Sequence, residues 1–486
     1  MKPLFNWGNS LLRVMLCAAL FYGALGLSSH WALMWLAPVP ILLQPKDISW
    51  RMASAEALLA YALGGLAWWP YLAGVIKVPA VIVVLAILQP AIAFAIAIGL
   101  AQVAKRRGRF AVAALVFPSV FVGYEWLLTA FSPHGSFGSV AYSQSDNLLV
   151  MQLLSVTGLS GITFLLCWLP AAVAMAWHRR HHFAEALRLL APAVLVLGVA
   201  LGWGWYRLAT PLAGPMHKVA LLADDAQLRH FGKTDQTTLD TVLHTYVQQI
   251  GAAANTGAQL IVLPEKAISL SQAQIPATQQ QLQQLSNQLK VTLAVGVNVV
   301  GEVKRNLAWL FTPSIAAEAV APQVYEKQHL VPGWESQYGA GEKLLTGSFN
   351  GLTLAVAICK DLDFPSSVGR YHGAQALIVP AWDFDADAWL HSRMAVARAI
   401  EQGVTLVRSA HDGRLTITDA LGRVLAEKST DASQAVALKA EVRFTAVDTV
   451  YGRFGDCFAW AVIGLLLWLL MVLWRGPAGA RRDATN

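Results

Sequence analysis

Three side chains at the ends of apolar runs have the types needed for covalent catalysis. Cys359 closes the run Leu352 to Ile358, Glu265 closes Leu260-Ile261-Val262-Leu263-Pro264, and Lys327 sits in Tyr325-Glu326-Lys327-Gln328-His329. A thiol is a strong nucleophile only as its thiolate, so it needs a base or a nearby cation. Glu265 would take the proton, and Lys327 would stabilise first the thiolate and then the oxyanion of a tetrahedral intermediate. The competing reading of a strand cysteine is a small buried hydrophobe. Two features favour the nucleophile. The strand gives way at Cys359 to Lys360-Asp361-Leu362-Asp363-Phe364-Pro365, which places the thiol at a strand-to-loop rim, and Glu265 holds the matching end of another strand. Lys360, facing the same pocket, is expected to lower the thiol pKa.

These residues need a scaffold that ends several strands at one rim. Buried-strand runs are read at 219–223, 260–263, 291–300, 306–311, 323–327, 352–358, 376–379 and 404–408, with a hairpin over 414–428. Helical spacing appears over 237–255, where Leu239, Val242, Tyr246 and Ile250 share a face, and again over 276–290 and 388–402. Strands alternating with helices predict an α/β layer structure with buried sheets.

This α/β stretch is set among apolar segments. The chain has 486 residues, of which 56% are hydrophobic and only 13% charged, with 18 Trp. Soluble domains carry about 25% charged residues, so much of this chain is expected in lipid. Eight runs approach the ~20 residues of a spanning helix: 11–27, 30–44, 54–76, 79–103, 110–131, 159–178, 187–206 and 457–474. The first is read as a retained span rather than a cleaved signal. The formal charge of +7 could point to nucleic acid, but its cations gather in short loops beside the apolar runs. Lys2, Lys46, Arg51, Lys105, Arg106, Arg107, Arg109, Arg179, Arg180, Arg188, Arg475, Arg481 and Arg482 alternate with nearly cation-free loops, Lys77 excepted. By the positive-inside rule both termini are cytoplasmic and the α/β domain faces outward.

The expected organisation is a bundle of about seven spans over 1–210, a catalytic domain over 217–450, a C-terminal span at 457–474 and a cytoplasmic tail at 475–486. Cys17, Cys167 and Cys457 lie in or beside the spans, which leaves Cys359 as a free thiol.

Leu263-Pro264-Glu265, Lys327 with His329-Leu330-Val331-Pro332, and Ile358-Cys359 resemble the Glu-Lys-Cys triad of the nitrilase, or carbon–nitrogen hydrolase, superfamily. With the spans, the chain resembles the membrane branch of that superfamily, the apolipoprotein N-acyltransferase family. Further matches are Gly123-Tyr124-Glu125-Trp126, Tyr142-Ser143-Gln144, Arg398-Ala399-Ile400-Glu401 and Tyr451-Gly452-Arg453-Phe454-Gly455-Asp456, and Glu335 matches a second functional glutamate. The resemblance implies an αββα sandwich joined to a membrane bundle, in a bacterial inner membrane with the catalytic domain on the periplasmic side. It also implies a ping-pong reaction without cofactor. Cys359 takes an acyl chain from a phospholipid as a thioester, and the amino group of an S-diacylglyceryl cysteine at a lipoprotein N-terminus then receives it. Glu265 shuttles protons in both halves, and Glu335 positions or polarises the reacting groups.

The chain departs from the family pattern beside the nucleophile. Lys360-Asp361 replaces the usual Tyr-Glu, Gly333-Trp334-Glu335 replaces Phe-Gly-Glu, His411 stands where Asn is usual, and Ala381-Trp382-Asp383-Phe384 replaces Asn-Asp-Ala-Trp. Trp334, Lys360, Asp361, Trp382 and His411 are therefore the candidate substrate-binding residues. The alternative function is a membrane-anchored nitrilase-type amidase, or an acyltransferase with another amine or amide substrate.

Other motifs carry less. His372, His391 and His411 lack ligand spacing, and no HExxH or CxxC occurs, so no metal is expected. Trp334, Trp382 and Trp389 line an acyl pocket or simply pack. The glycines of 333–347 make either a lid or a plain surface loop. Glu125, a carboxylate within a span, is expected to face the bundle interior.

Overall fold

The computed structural model describes residues 7–314 and 321–475. Lys2, Arg481, Arg482 and all but the first residue of the expected tail lie outside the described residues. Contacts divide the chain into two units, one of residues 1–130, 138–205 and 456–486, the other of residues 131–137 and 206–455.

The first unit is helical. Among the described residues, five helices are long and apolar enough to cross a membrane: Ala80–Arg106, Phe110–Phe131, Leu154–His178, Phe183–Ala209 and Cys457–Trp474. They correspond to the last five of the eight expected spans. Of the first three expected spans, the second and third are interrupted. Residues 30–44 fold as two four-residue helices, Trp31–Met34 and Val39–Leu42, because Pro38 and Pro40 remove the N–H groups a longer helix would need. Residues 54–76 begin as the helix Trp50–Gly65 and continue as a 3₁₀ turn, Leu66–Trp68, and a π turn, Pro70–Val75. Gly64, Gly65 and Pro70 are poor interior residues for a regular helix. The first apolar run gives the helix Trp7–Ala24.

Glu125 is buried in this unit, as expected. Its carboxylate accepts from Ser139 Oγ at 3.0 Å, Val140 N at 2.8 Å and Thr163 Oγ1 at 2.5 Å. It thus ties Phe110–Phe131 to Leu154–His178 and to the turn between them.

Among its described residues the second unit holds fourteen strands: β1 (Met216–Asp224), β2 (Leu260–Val262), β3 (Ile268–Ser271), β4 (Thr292–Val300), β5 (Lys304–Phe311), β6 (Gln323–Glu326), β7 (Tyr338–Gly339), β8 (Leu345–Phe349), β9 (Leu352–Val356), β10 (Ala376–Trp382), β11 (Thr405–His411), β12 (Arg414–Thr418), β13 (Val424–Ser429) and β14 (Ala435–Arg443). One sheet runs β14-β1-β2-β4-β5-β6, with β3 added on β4 and β7 on β5; the other runs β13-β12-β11-β10-β9-β8.

The strands that end at the site are parallel within each sheet. β1, β2 and β4 pair in parallel, as do β9, β10 and β11. Because side chains alternate between faces of a strand, Leu221, Leu260 and Val262 of the first sheet pack against Leu354, Val356, Ile378 and Val407 of the second. Residues of opposite parity, such as Leu222, Ile261 and Leu293, meet Leu239, Tyr246, Ile250 and Leu282 of the helices Gln236–Ala254 and Ile275–Leu289. The helix Ala388–Gln402 carries a nearly continuous run of buried residues. The unit is an α/β sandwich of the expected kind.

Candidate active site

The glutamate and the lysine meet at the ends of their strands. Past β2 the chain turns at Pro264, and the Glu265 N–H donates to the carbonyl of Ala381 in β10 at 3.2 Å. This turn lies so close to β4 that a Cβ on Gly296 would stand 2.0 Å from Pro264 O and 2.7 Å from Glu265 Cα. Only glycine fits there. Lys327 follows β6 and donates its N–H to the Asn306 carbonyl of β5 at 2.9 Å.

Both side chains are buried, and Lys327 Nζ lies 2.8 Å from Glu265 Oε1 and 2.9 Å from Glu335 Oε2. Asn306 Nδ2 donates to Glu265 Oε1 at 2.5 Å and to Glu335 Oε1 at 2.9 Å. Lys266 Nζ adds a second ammonium at 2.5 Å from Glu335 Oε1 and 3.8 Å from Glu265 Oε1. Two carboxylates are thus matched by two ammonium groups, which is what makes their burial tolerable. Burial alone would lower the Lys327 pKa, but Glu265, Glu335 and Cys359 hold it well above the usual lysine range. Burial likewise opposes ionisation of Glu335, yet Lys327, Lys266 and the Val331 N–H bring its carboxyl down to about 2.

One oxygen stays free. Glu265 Oε2 is buried and has no hydrogen-bond partner.

Cys359 begins the tight turn Cys359–Asp363 after β9 and takes φ = +42°. This left-handed conformation is strained for a residue with a Cβ. It turns the chain sharply, leaving the thiol half-buried at the rim with Sγ 3.4 Å from the Trp382 carbonyl. Burial first, and then the negative charge of Glu265, push the thiol pKa well up, against the opposing pull of Lys327. The thiol therefore rests protonated. The expected depression by Lys360 is corrected: Lys360 Nζ turns to Asp363 at 3.0 Å and stands over the Phe364 ring. The cations that act on the thiol are Lys327 and Arg408.

The remaining candidates fall in three places. Asp361 is buried within the turn, accepting from Ile358 N at 3.0 Å, Gln328 N at 3.1 Å, His329 N at 2.8 Å and Tyr325 Oη at 2.8 Å. It joins the nucleophile turn to the lysine segment. Trp382 and His411 end β10 and β11 in register, their rings 5.8 Å apart. Trp334 is 59% exposed, edge-on to Phe384 at 5.3 Å.

Sequence reasoning missed Lys266 and Asn306, although Lys266 adjoins Glu265 directly. Behind Trp382, Asp383 Oδ1 accepts from Arg408 at 2.5 Å, and His391 Nδ1 lies 3.2 Å from Asp387 Oδ2. Ligand atoms of Asp383, Asp387 and His391 lie within 4.8 Å of one another. Their charges are already met by Arg408 and by His391, whose pKa rises to about 9 because Asp387 and Asp383 outweigh its burial.

Residues 17–172 match the family described as apolipoprotein N-acyltransferase N-terminal domain, and residues 226–448 match carbon–nitrogen hydrolase. The apolipoprotein N-acyltransferase of Gloeobacter violaceus is 28% identical, covering 94% of this chain and 93% of its own. That of Geobacter metallireducens is 25% identical, covering 89% of each. Among solved structures, an amidase from Nesterenkonia sp. superposes with a TM-score of 0.38 at 20% identity, covering 49% of this chain and 93% of its own. The molecule is thus a membrane acyltransferase of the carbon–nitrogen hydrolase class. Within that class, the chain belongs to the apolipoprotein N-acyltransferase family.

Proposed function

We propose that the protein moves an acyl chain from a phospholipid to the N-terminal S-diacylglyceryl cysteine of a lipoprotein, through a thioester on Cys359. The observation that carries this reading is a thiol on a strained turn at the same rim as a buried carboxylate that is held by Lys327 through one oxygen and keeps the other unpartnered. Glu265 Oε2 takes the proton as Sγ attacks the ester carbonyl, and Lys327 neutralises the oxyanion as it forms. The proton then passes to the lysophospholipid oxygen as the C–O bond breaks. In the second half the amine attacks the thioester, and Glu265 returns a proton to sulfur. Glu335 holds Lys327 in place. A thioester suits the task because it keeps the acyl group while one lipid leaves and another enters. The reading places the catalytic domain on the periplasmic face of a bacterial inner membrane, in keeping with the cation-rich loops.

The test is incubation of purified protein with a phosphatidylethanolamine of known acyl composition, followed by mass spectrometry of the Cys359 peptide. An acyl adduct on Cys359 that disappears when a diacylglyceryl-cysteinyl peptide is added is expected. If no adduct forms while simple amides are hydrolysed, the protein is an amidase instead.

A further inference from the structure

Amine acylation from a thioester has a proton that Glu265 alone does not account for. At neutral pH the acceptor arrives as R–NH₃⁺ and leaves as R–NH–CO–R′, so two N–H protons must depart. One restores the Cys359 thiol by way of Glu265. The other must go to a second base and then to water. This argument rests on the amine-acceptor reading above.

A second base of the right form stands beside the site. His411 Nδ1 lies 2.6 Å from Asp225 Oδ1, both side chains being buried, and Asp225 Oδ2 accepts from the Asp412 N–H at 3.1 Å. A carboxylate at that distance fixes the proton on Nδ1 and leaves Nε2 as the proton acceptor. Asp225 comes from the first sheet's β1 end and His411 from the end of β11, so neither sheet alone builds the pair.

The ring lines a narrow cavity together with Phe231, Gln227, Ser269 and Lys266. Lys266 joins that cavity to the two glutamates. Trp382 joins it to the thiol, with its carbonyl on Cys359 Sγ and its ring 5.0 Å from Phe231 and 5.8 Å from His411. The charged groups around His411 are Asp225 and Asp412 on one side, and Lys266 and Lys233 across the cavity, where His230 also lies with its pKa lowered by burial and by Arg229 and Lys233. The two lysines on that wall disfavour an ammonium and favour its neutral form.

We propose that His411, oriented by Asp225, is a second general base that deprotonates the incoming ammonium of the acyl acceptor. Nε2 takes the first proton, directly or through one water. The amine lone pair then forms the C–N bond at the thioester carbonyl and the C–S bond breaks. The second N–H proton reaches sulfur through Glu265, and His411 gives its own proton to water in the cavity.

The experiment is single-turnover transfer from acyl-enzyme formed on phosphatidylethanolamine. Two acceptors are compared: a diacylglyceryl-cysteinyl peptide and hydroxylamine, which is largely neutral near pH 7 and needs no prior deprotonation. Rates are taken per acyl-enzyme formed, so unfolded protein does not count. In His411→Asn, His411→Gln and Asp225→Asn, the ratio of peptide to hydroxylamine transfer should fall about 100-fold or more at pH 7. Raising the pH towards the amine pKa should restore it. An unchanged ratio in all three variants overturns the second base. A wild-type enzyme that forms the thioester but acylates no peptide amine overturns the acceptor reading itself.

Discussion

Lys327 ends on Oε1 of Glu265, 2.8 Å away, and leaves Oε2 of the same buried carboxylate without a partner. The lysine thus engages the glutamate through one oxygen and leaves the other to take a proton. Glu265→Gln keeps the shape and loses the base. We expect acyl-enzyme formation to fall by about 10²–10⁴-fold, with the variant still folded, because Gln can accept from Lys327 and Asn306 through its carbonyl. Stopped-flow acylation checks this, and a loss under tenfold would move the base elsewhere.

Asp361 accepts three backbone N–H groups and the Tyr325 hydroxyl. Asp361→Ala strands these donors in a buried turn. Each unsatisfied buried group costs about 1–3 kcal/mol, so the loss should exceed about 2 kcal/mol. Acylation should fall too, because the turn that aims Cys359 loses its tie to the Lys327 segment. Thermal unfolding in detergent and the acylation rate test the two effects separately. A variant with unchanged melting temperature would contradict the bonding described.

His391 titrates on the alkaline side of neutrality. Its folded pKa of about 9 lies above the ordinary histidine value, Asp387 and Asp383 outweighing burial. A raised folded pKa gives stability that is fully present below the unfolded value of about 6.5 and is lost as pH rises through about 9. The melting temperature should therefore drop between pH 6.5 and 9.5 by more in the wild type than in His391→Gln, a difference of at least about 2 °C. Equal slopes would remove His391 from the pH response.

Much of this arrangement was legible in the sequence. The runs before Glu265 and Cys359 are apolar because their parallel strands are covered on both faces, and that pattern announces itself. The short strands β3 and β7 and the exposed alternation of β14 did not. They are held by pairing with neighbours rather than by a buried run of their own. Lys360 and Asp361 looked like pocket residues because they follow the nucleophile. The turn that begins at Cys359 instead points Asp361 inward to backbone donors and Lys360 to Asp363. Lys266 was overlooked for the converse reason. Its φ of +55° brings it back onto Glu335, 69 positions away in sequence, and nothing in a lysine's identity signals that conformation. Prolines and paired glycines interrupt two of the eight apolar runs, 30–44 and 54–76, because hydropathy registers composition and not helix continuity.

The backbone at Cys359 offers a test of strain that is separate from chemistry. At φ = +42° any Cβ crowds the backbone, and glycine is free of that penalty. Cys359→Ala and Cys359→Gly both abolish the thiol and so both eliminate thioester formation. They differ only in the Cβ. At an ordinary strand-end position alanine would be the more stable of the two. Here glycine should be favoured by about 1 kcal/mol, partly offset by the greater freedom it gives the unfolded chain. Paired unfolding curves of the two variants decide the matter. A glycine variant less stable than the alanine variant would mean that the turn carries no strain, and that the nucleophile is aimed by the Asp361 hydrogen bonds alone.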